Sequence, residues 1–324
     1  MTRYLMALFG SILFAQEANT IRVPVRLVTA PTLVFSKQRK LIFGLQASDF
    51  RLYDNGRLQK VSLDIEWAPL SLVVVIQSNE DVRDYLAFID RAGSVIDTSL
   101  VGEDGEAAVL TYNDQVGVKK GLEVGDVRSA LADIKAEGEK ARMIDAGLCG
   151  IALLKEHPRA RTRVLLFIGQ PIDRGSSGTV AMLRDQADRE NVSVYAIALP
   201  QFGKKFVSDT FSLSGLGSQG TKGGYEARVE LTKMVPAVRR RTGVALGKDP
   251  FSQLTAATGG TQLHVRKQGQ LEDAIDAVGA ELHSMYLLSF SPDLRENGYH
   301  EIRVDVDVPG ATAYSRPGYT FSGN

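Results

Sequence analysis

The sequence predicts an α/β protein: a doubly wound, mostly parallel sheet, joined to a β-sandwich built from the N- and C-terminal segments. Three observations predict it. Short apolar runs at 72–76, 163–168 and 192–199 alternate with segments of helical period, the pattern of buried parallel strands linked by crossover helices. The stretch before Pro69 carries strand and hairpin signals and nothing with helical period. The chain returns to strands after residue 285, so both ends supply β structure. The implied division is 1–15 as a signal peptide and 69–284 as the α/β domain, with 20–68 and 285–324 as the two parts of the sandwich.

In chain order, residues 1–15 read MTRYLMALFGSILFA: one arginine, a short apolar run, then Ala15. That is the layout of a secretory signal peptide, with Leu13 an imperfect cleavage residue. It implies a secreted, periplasmic or cell-envelope protein. No other apolar stretch is long enough to span a bilayer. Residues 21–28 are β-branched and alternating, with Pro24 suited to an edge. Short strands are expected at 40–43, 50–53 and 61–67, and Asp54-Asn55-Gly56 is a hairpin turn. The apolar run from Leu72 to Ile76 is the first central strand. Val82, Tyr85, Leu86 and Ile89 then mark a helix face, with Asp81 placed as its N-cap.

Strands are expected next at 106–112 and near Val116, and helices over 126–137 and 142–156. A strand at 163–168, a helix at 179–190 and a strand at 192–199 complete the alternation. Residues 201–249 break it. They are rich in glycine, include Arg239-Arg240-Arg241, and read as a long surface insertion. The basic run is either an anionic contact patch or a solvated loop end. The rhythm resumes with a helix at 250–258 stopped by Gly259-Gly260, a strand at 261–265 and an amphipathic helix through Leu271, Ile275 and Val278. Strands follow at 285–290 and 300–308, and 311–315 is placed to pair back on the latter.

Composition narrows the function classes. The 324 residues hold 38 basic and 38 acidic side chains, so nothing in the net charge suits a nucleic acid or an anionic membrane. Cys149 is the only cysteine, which rules out an internal disulfide and reads as a small core residue. His157, His264, His283 and His300 lack zinc-ligand spacing. No nucleophile elbow or phosphate-binding glycine loop is present. Trp67 and Tyr319 read as core or boundary aromatics.

Several short pieces, in this order, resemble the von Willebrand factor A-related proteins of soil, acidobacterial-type bacteria. They are 25–28, Leu45-Gln46-Ala47-Ser48-Asp49-Phe50, Asp54-Asn55-Gly56, Arg142-Met143-Ile144-Asp145-Ala146, 163–168, Thr258-Gly259-Gly260, Tyr286-Leu287-Leu288-Ser289-Phe290 and Arg316-Pro317-Gly318-Tyr319. The resemblance implies a metal-ion-dependent adhesion site at the end of the first central strand, with D-x-S-x-S, a Thr and an Asp from three loops around Mg²⁺. This sequence departs at each position: Gln77, Asn79 and Asp81 in the first loop, Ala141 in the second and Gln170 in the third. Divalent affinity follows the charge of the ligands, so the site is degenerate and no metal or other cofactor is expected. A shifted Mg²⁺ or other divalent site remains the one alternative. Ser78, Glu80, Asp84 and Asp173 form the candidate partner-facing rim. The function implied is a non-enzymatic protein-binding or adhesion module with a protein partner. Two alternatives stand beside it: a hydrolase using Glu80, Asp81, Asp84 and Asp173, and a structural envelope scaffold.

Overall fold

The computed structural model describes residues 27–38, 40–64, 69–157, 162–200, 249–266, 270–292 and 296–321. The expected signal peptide, Trp67 and nearly all of the 201–249 insertion, with its arginine run, lie outside these.

At the centre is a six-stranded sheet. Strand β5 (Leu70–Gln77) is buried along its whole length, between β6 (Glu106–Tyr112) and β8 (Thr162–Gly169), and parallel to both. β9 (Val192–Ala198) and β10 (Gln262–His264) extend the sheet in parallel beyond β8. On the other side β7 (Val116–Glu123) closes it, antiparallel to β6. The order is therefore β10-β9-β8-β5-β6-β7. Winding begins at β5, runs outward to β7, then restarts on the opposite side at β8. The switch point lies between β5 and β8, and in such sheets ligands sit outside the carboxyl ends of the strands at that crevice.

Burial on both faces explains the apolar runs. Leu72, Val74 and Ile76 point to one face, where they meet Ile89 and Ile96 of α1 (Leu86–Ile96) and Ile275 and Val278 of α6 (Gln270–Leu282). Val73 and Val75 point to the other, where they share a core with Met143 of α3 (Met143–Lys155), Leu183 of α4 (Val180–Arg189) and Phe251 of α5 (Pro250–Thr258). Each such aliphatic side chain removed from water contributes about 1.5–3 kcal/mol. The Thr179 hydroxyl caps α4 and the Asp249 carboxylate caps α5, while Gly259 ends α5 in the left-handed conformation expected of it.

Two four-stranded antiparallel sheets form the sandwich. One is ordered β13-β1-β11-β4, from Thr312–Tyr314, Val28–Phe35, Tyr286–Phe290 and Ser62–Asp64. The other is β14-β12-β2-β3, from Gly318–Phe321, Gly298–Val306, Phe50–Asp54 and Arg57–Gln59. Val28, Ala30, Leu288 and Phe290 of the first share one core with Leu52, Ile302, Val304 and Phe321 of the second. Asn55 and Gly56 both have positive φ, as a two-residue hairpin between β2 and β3 demands.

Four local expectations are corrected. Residues 40–43 are not a strand: Leu41 makes a single bridge to Phe35. The 126–137 helix shrinks to α2 (Arg128–Leu131), because the chain beyond it is captured by backbone bonds at the end of β5. Asp81 is not a helix cap: Asn79 holds that position, before a 3-10 turn, Glu80–Tyr85, that leads into α1. Residues 311–315 do not pair with the 300–308 strand: β13 pairs with β1, and β12 takes β14 instead.

The sandwich sits at the amino end of the parallel strands. Arg316 is buried against Asp188 at the end of α4, and Asn191, just before β9, bonds Thr29 N–H (3.3 Å) and the Leu27 carbonyl (3.0 Å). The carboxyl edge of the sheet is thus the end away from the sandwich.

Candidate functional site

Three loops converge at that edge. The first leaves β5 at Gln77, the third leaves β8 at Gly169, and the second is the stretch 137–142 that enters α3. Backbone bonds fasten them together: Glu137 N–H to the Ser78 carbonyl (2.9 Å) and Glu80 N–H to the Gly138 carbonyl (3.1 Å). Ala141 and Arg174 exchange both their N–H···O bonds (3.0 and 2.8 Å). The Asp114 carboxylate accepts from Glu139 N–H (3.1 Å) and Lys140 N–H (2.7 Å), fixing the approach of the second loop.

A side-chain network fills the space between them. Gln77, fully buried, accepts from Gln170 N–H (2.6 Å) and donates its amide to Asn79 Oδ1 (2.8 Å). Asn79 Nδ2 donates to Asp81 (3.2 Å) and to the Glu139 carbonyl (3.4 Å). The Arg174 guanidinium donates to the same Asp81 oxygen. Gln170 donates its side-chain amide to the Pro200 carbonyl (3.0 Å), tying in the end of β9. The Tyr112 hydroxyl lies beneath, fully buried, and burial first and the Asp173 charge second push its ionisation far above the ordinary range.

The structure separates the candidate rim residues. Glu80 is exposed and held bidentately by Arg83 (2.8 and 2.5 Å), and Asp84 is exposed on the same turn. Ser78 is buried rather than at the surface, and its hydroxyl faces the Tyr112 carbonyl (3.4 Å). Asp173 is half-buried and turned inward: it accepts from Ile144 N–H at the start of α3 (2.9 Å) and from the Ser176 hydroxyl (2.6 Å). Glu80, Asp81 and Asp173 thus each have a partner of their own instead of converging on one reacting point.

The donor set does not fit a hard divalent cation. Ala141 has no side-chain oxygen, Gln77 and Asn79 spend their amides on the network, and Asp81, the only acid at the five positions, is neutralised by Arg174. Among the described residues, no three or more His, Cys, Asp or Glu side chains gather as a metal would require.

Sequence reasoning assigned no site role to Arg174, Asp114 or Asp145, the last appearing only within Arg142-Met143-Ile144-Asp145-Ala146. Asp145 accepts from Ser177 N–H (3.0 Å), Gly178 N–H (2.9 Å) and Arg142 (2.8 Å), binding the start of α3 to the third loop. The Asp173-Arg174 dipeptide was visible. What it lacked was any local sign that the arginine would reach a carboxylate 93 positions earlier.

No family model and no curated protein matches the chain. Among solved structures, it is similar to a von Willebrand factor type A protein from Catenulispora acidiphila, at 10% identity and a TM-score of 0.48, covering 92% of this chain and 64% of that one. This chain therefore spans less than two thirds of that protein's length. It is also similar to the conserved hypothetical protein BatB from Bacteroides thetaiotaomicron, at 9% identity and a TM-score of 0.43, covering 66% of this chain and 98% of that one. A third likeness is to an aerotolerance-related membrane protein from Bacteroides fragilis, at a TM-score of 0.37, covering 67% of this chain and 100% of that one. Among the described residues, no helix is long and apolar enough to cross a membrane.

Proposed function

We propose that this is an exported, non-enzymatic protein-binding module of the von Willebrand A type, and that its carboxyl-edge rim engages a protein partner without a divalent cation. One observation carries the reading: the switch-point crevice, where such a sheet holds its ligand, is closed by Gln77, Asn79, Asp81, Gln170 and Arg174 bonding one another. These bonds give a preformed surface and leave no acidic side chain at the five positions free for a metal, while Gln170 Oε1 and the Tyr112 hydroxyl stay buried in the crevice without a hydrogen bond. The separate engagement of Glu80, Asp81 and Asp173 favours binding over hydrolysis, which needs carboxylates converging in a water-excluding pocket. The leader-like residues 1–15 support export to the periplasm, cell envelope or medium.

The test is capture from an envelope extract on the immobilised protein, with EDTA and with added Mg²⁺ or Mn²⁺. The same partner should be retained in both conditions. Replacing Glu80 and Arg83 together by Ala should weaken capture, whereas replacing Arg51 and Asp307 on the sandwich should not. Capture that requires the divalent ion would overturn the metal-free reading.

A further inference from the structure

Arg174 has a backbone on one loop and a charge on another. Its peptide is paired with Ala141 in both directions, which fixes it to the second loop. Its guanidinium reaches Asp81 on the first loop, and it belongs by sequence to the third. Asp81 keeps only 8% of its side-chain exposure, while Arg174 keeps 45%. A carboxylate so nearly withdrawn from water requires a counter-charge, and removing that partner leaves the charge uncompensated. Asn79 supports the same oxygen and also holds the Glu139 carbonyl, so Asp81 is the hub on which all three loops meet.

We infer that Arg174 is a positioning residue that supplies, from within the chain, the positive charge around which a metal-dependent rim is organised. The guanidinium binds the one remaining acidic position and holds the three loops in register. Cation control of the rim's conformation is thereby replaced by a permanent internal link. This rests on the reading of the carboxyl edge as the binding rim. It adds the residue that sets the rim's shape where Gln77, Asn79, Ala141 and Gln170 supply no charge.

Hydrogen exchange, read in peptides covering 78–84, 137–142 and 170–176 of the full chain, tests this without any partner. Arg174→Lys keeps the charge, Arg174→Gln keeps a polar side chain without it, and Asp81→Asn removes the other half of the pair. Exchange in all three peptides should run about five- to tenfold faster in Arg174→Gln and Asp81→Asn, and stay close to the parent in Arg174→Lys. The parent should be unmoved by EDTA or by millimolar Mg²⁺. Equal behaviour of the Lys and Gln variants, or protection of the parent by Mg²⁺, would overturn the inference. A failed pull-down would leave this result standing, and failure here would leave the binding function to be judged by capture.

Discussion

Gly169 ends β8 against Tyr112 and Gln77 in the crevice. A methyl group there would lie 2.4 Å from the Tyr112 hydroxyl and 2.8 Å from Gln77 Cβ. Neither neighbour can withdraw, because Tyr112 is buried at the end of β6 and Gln77 is bonded at both ends of its amide. Gly169→Ala should therefore cost about 1–3 kcal/mol, the range for overpacking a filled interior. Urea denaturation checks this: the midpoint should fall with the slope unchanged, and an unaltered midpoint would show that the crevice has more room than its contacts imply. The sequence displayed Gly169 as one glycine among 31. Only the strand-end contacts give it a reason.

At the scale of elements, the entry to α3 is governed by Asp145. Burial opposes its ionisation, but Ser177 N–H, Gly178 N–H and Arg142 prevail and hold its carboxyl below the ordinary value. The folded value lies below the unfolded one, so the stabilisation is complete at neutral pH. It is lost as the pH falls through the ordinary carboxylate value toward the depressed one. Asp145→Asn removes the charge, so its deficit relative to the parent should shrink steadily with acidification. Parallel stability curves from neutral to acid pH would contradict this. The segment after α2 teaches the complementary lesson. Val127, Leu131 and Ile134 have helical spacing, yet the helix stops at Leu131. Two backbone bonds to Ser78 and Glu80 and the Asp114 carboxylate hold residues 137–140 against the neighbouring loops, and those partners outweigh a weak local preference.

Across the whole molecule, Arg316 and Asp188 join the sandwich to the α/β domain. Both are almost fully buried, Arg316 also donates to the Gly318 carbonyl (2.8 Å), and Gly259 lies against the arginine's backbone and Cβ. Burial pushes the Asp188 carboxyl up while Arg316 draws it back, and burial lowers the guanidinium in turn. Arg316→Met should cost about 3–5 kcal/mol by leaving a buried carboxylate without its partner. The double variant Arg316→Met with Asp188→Leu should recover most of that loss. A double variant no more stable than the single one would show that the pair acts through packing and not through charge. The junction lies at the amino end of the sheet, so these changes should leave the carboxyl-edge rim intact.

Local chemistry alone determined much of this protein. The strands at 70–77, 162–169 and 192–198, the Asn55-Gly56 hairpin, the Gly259 cap and the amphipathic α6 are written in period and turn residues, because burial on one or both faces dictates which side chains each position accepts. That Gln77, Asn79, Ala141 and Gln170 bring no charge, leaving Asp81 the one acid of the five, was equally legible. Tertiary structure decided the rest. That β1 runs from Val28 to Phe35, that β13 pairs with β1, and that Ser78 and Asp173 turn inward all follow from partners distant in sequence. The decisive contact is Arg174 with Asp81. A guanidinium finds a carboxylate through space, and nothing in the spacing of either residue along the chain could announce that the winding of the sheet would bring them together.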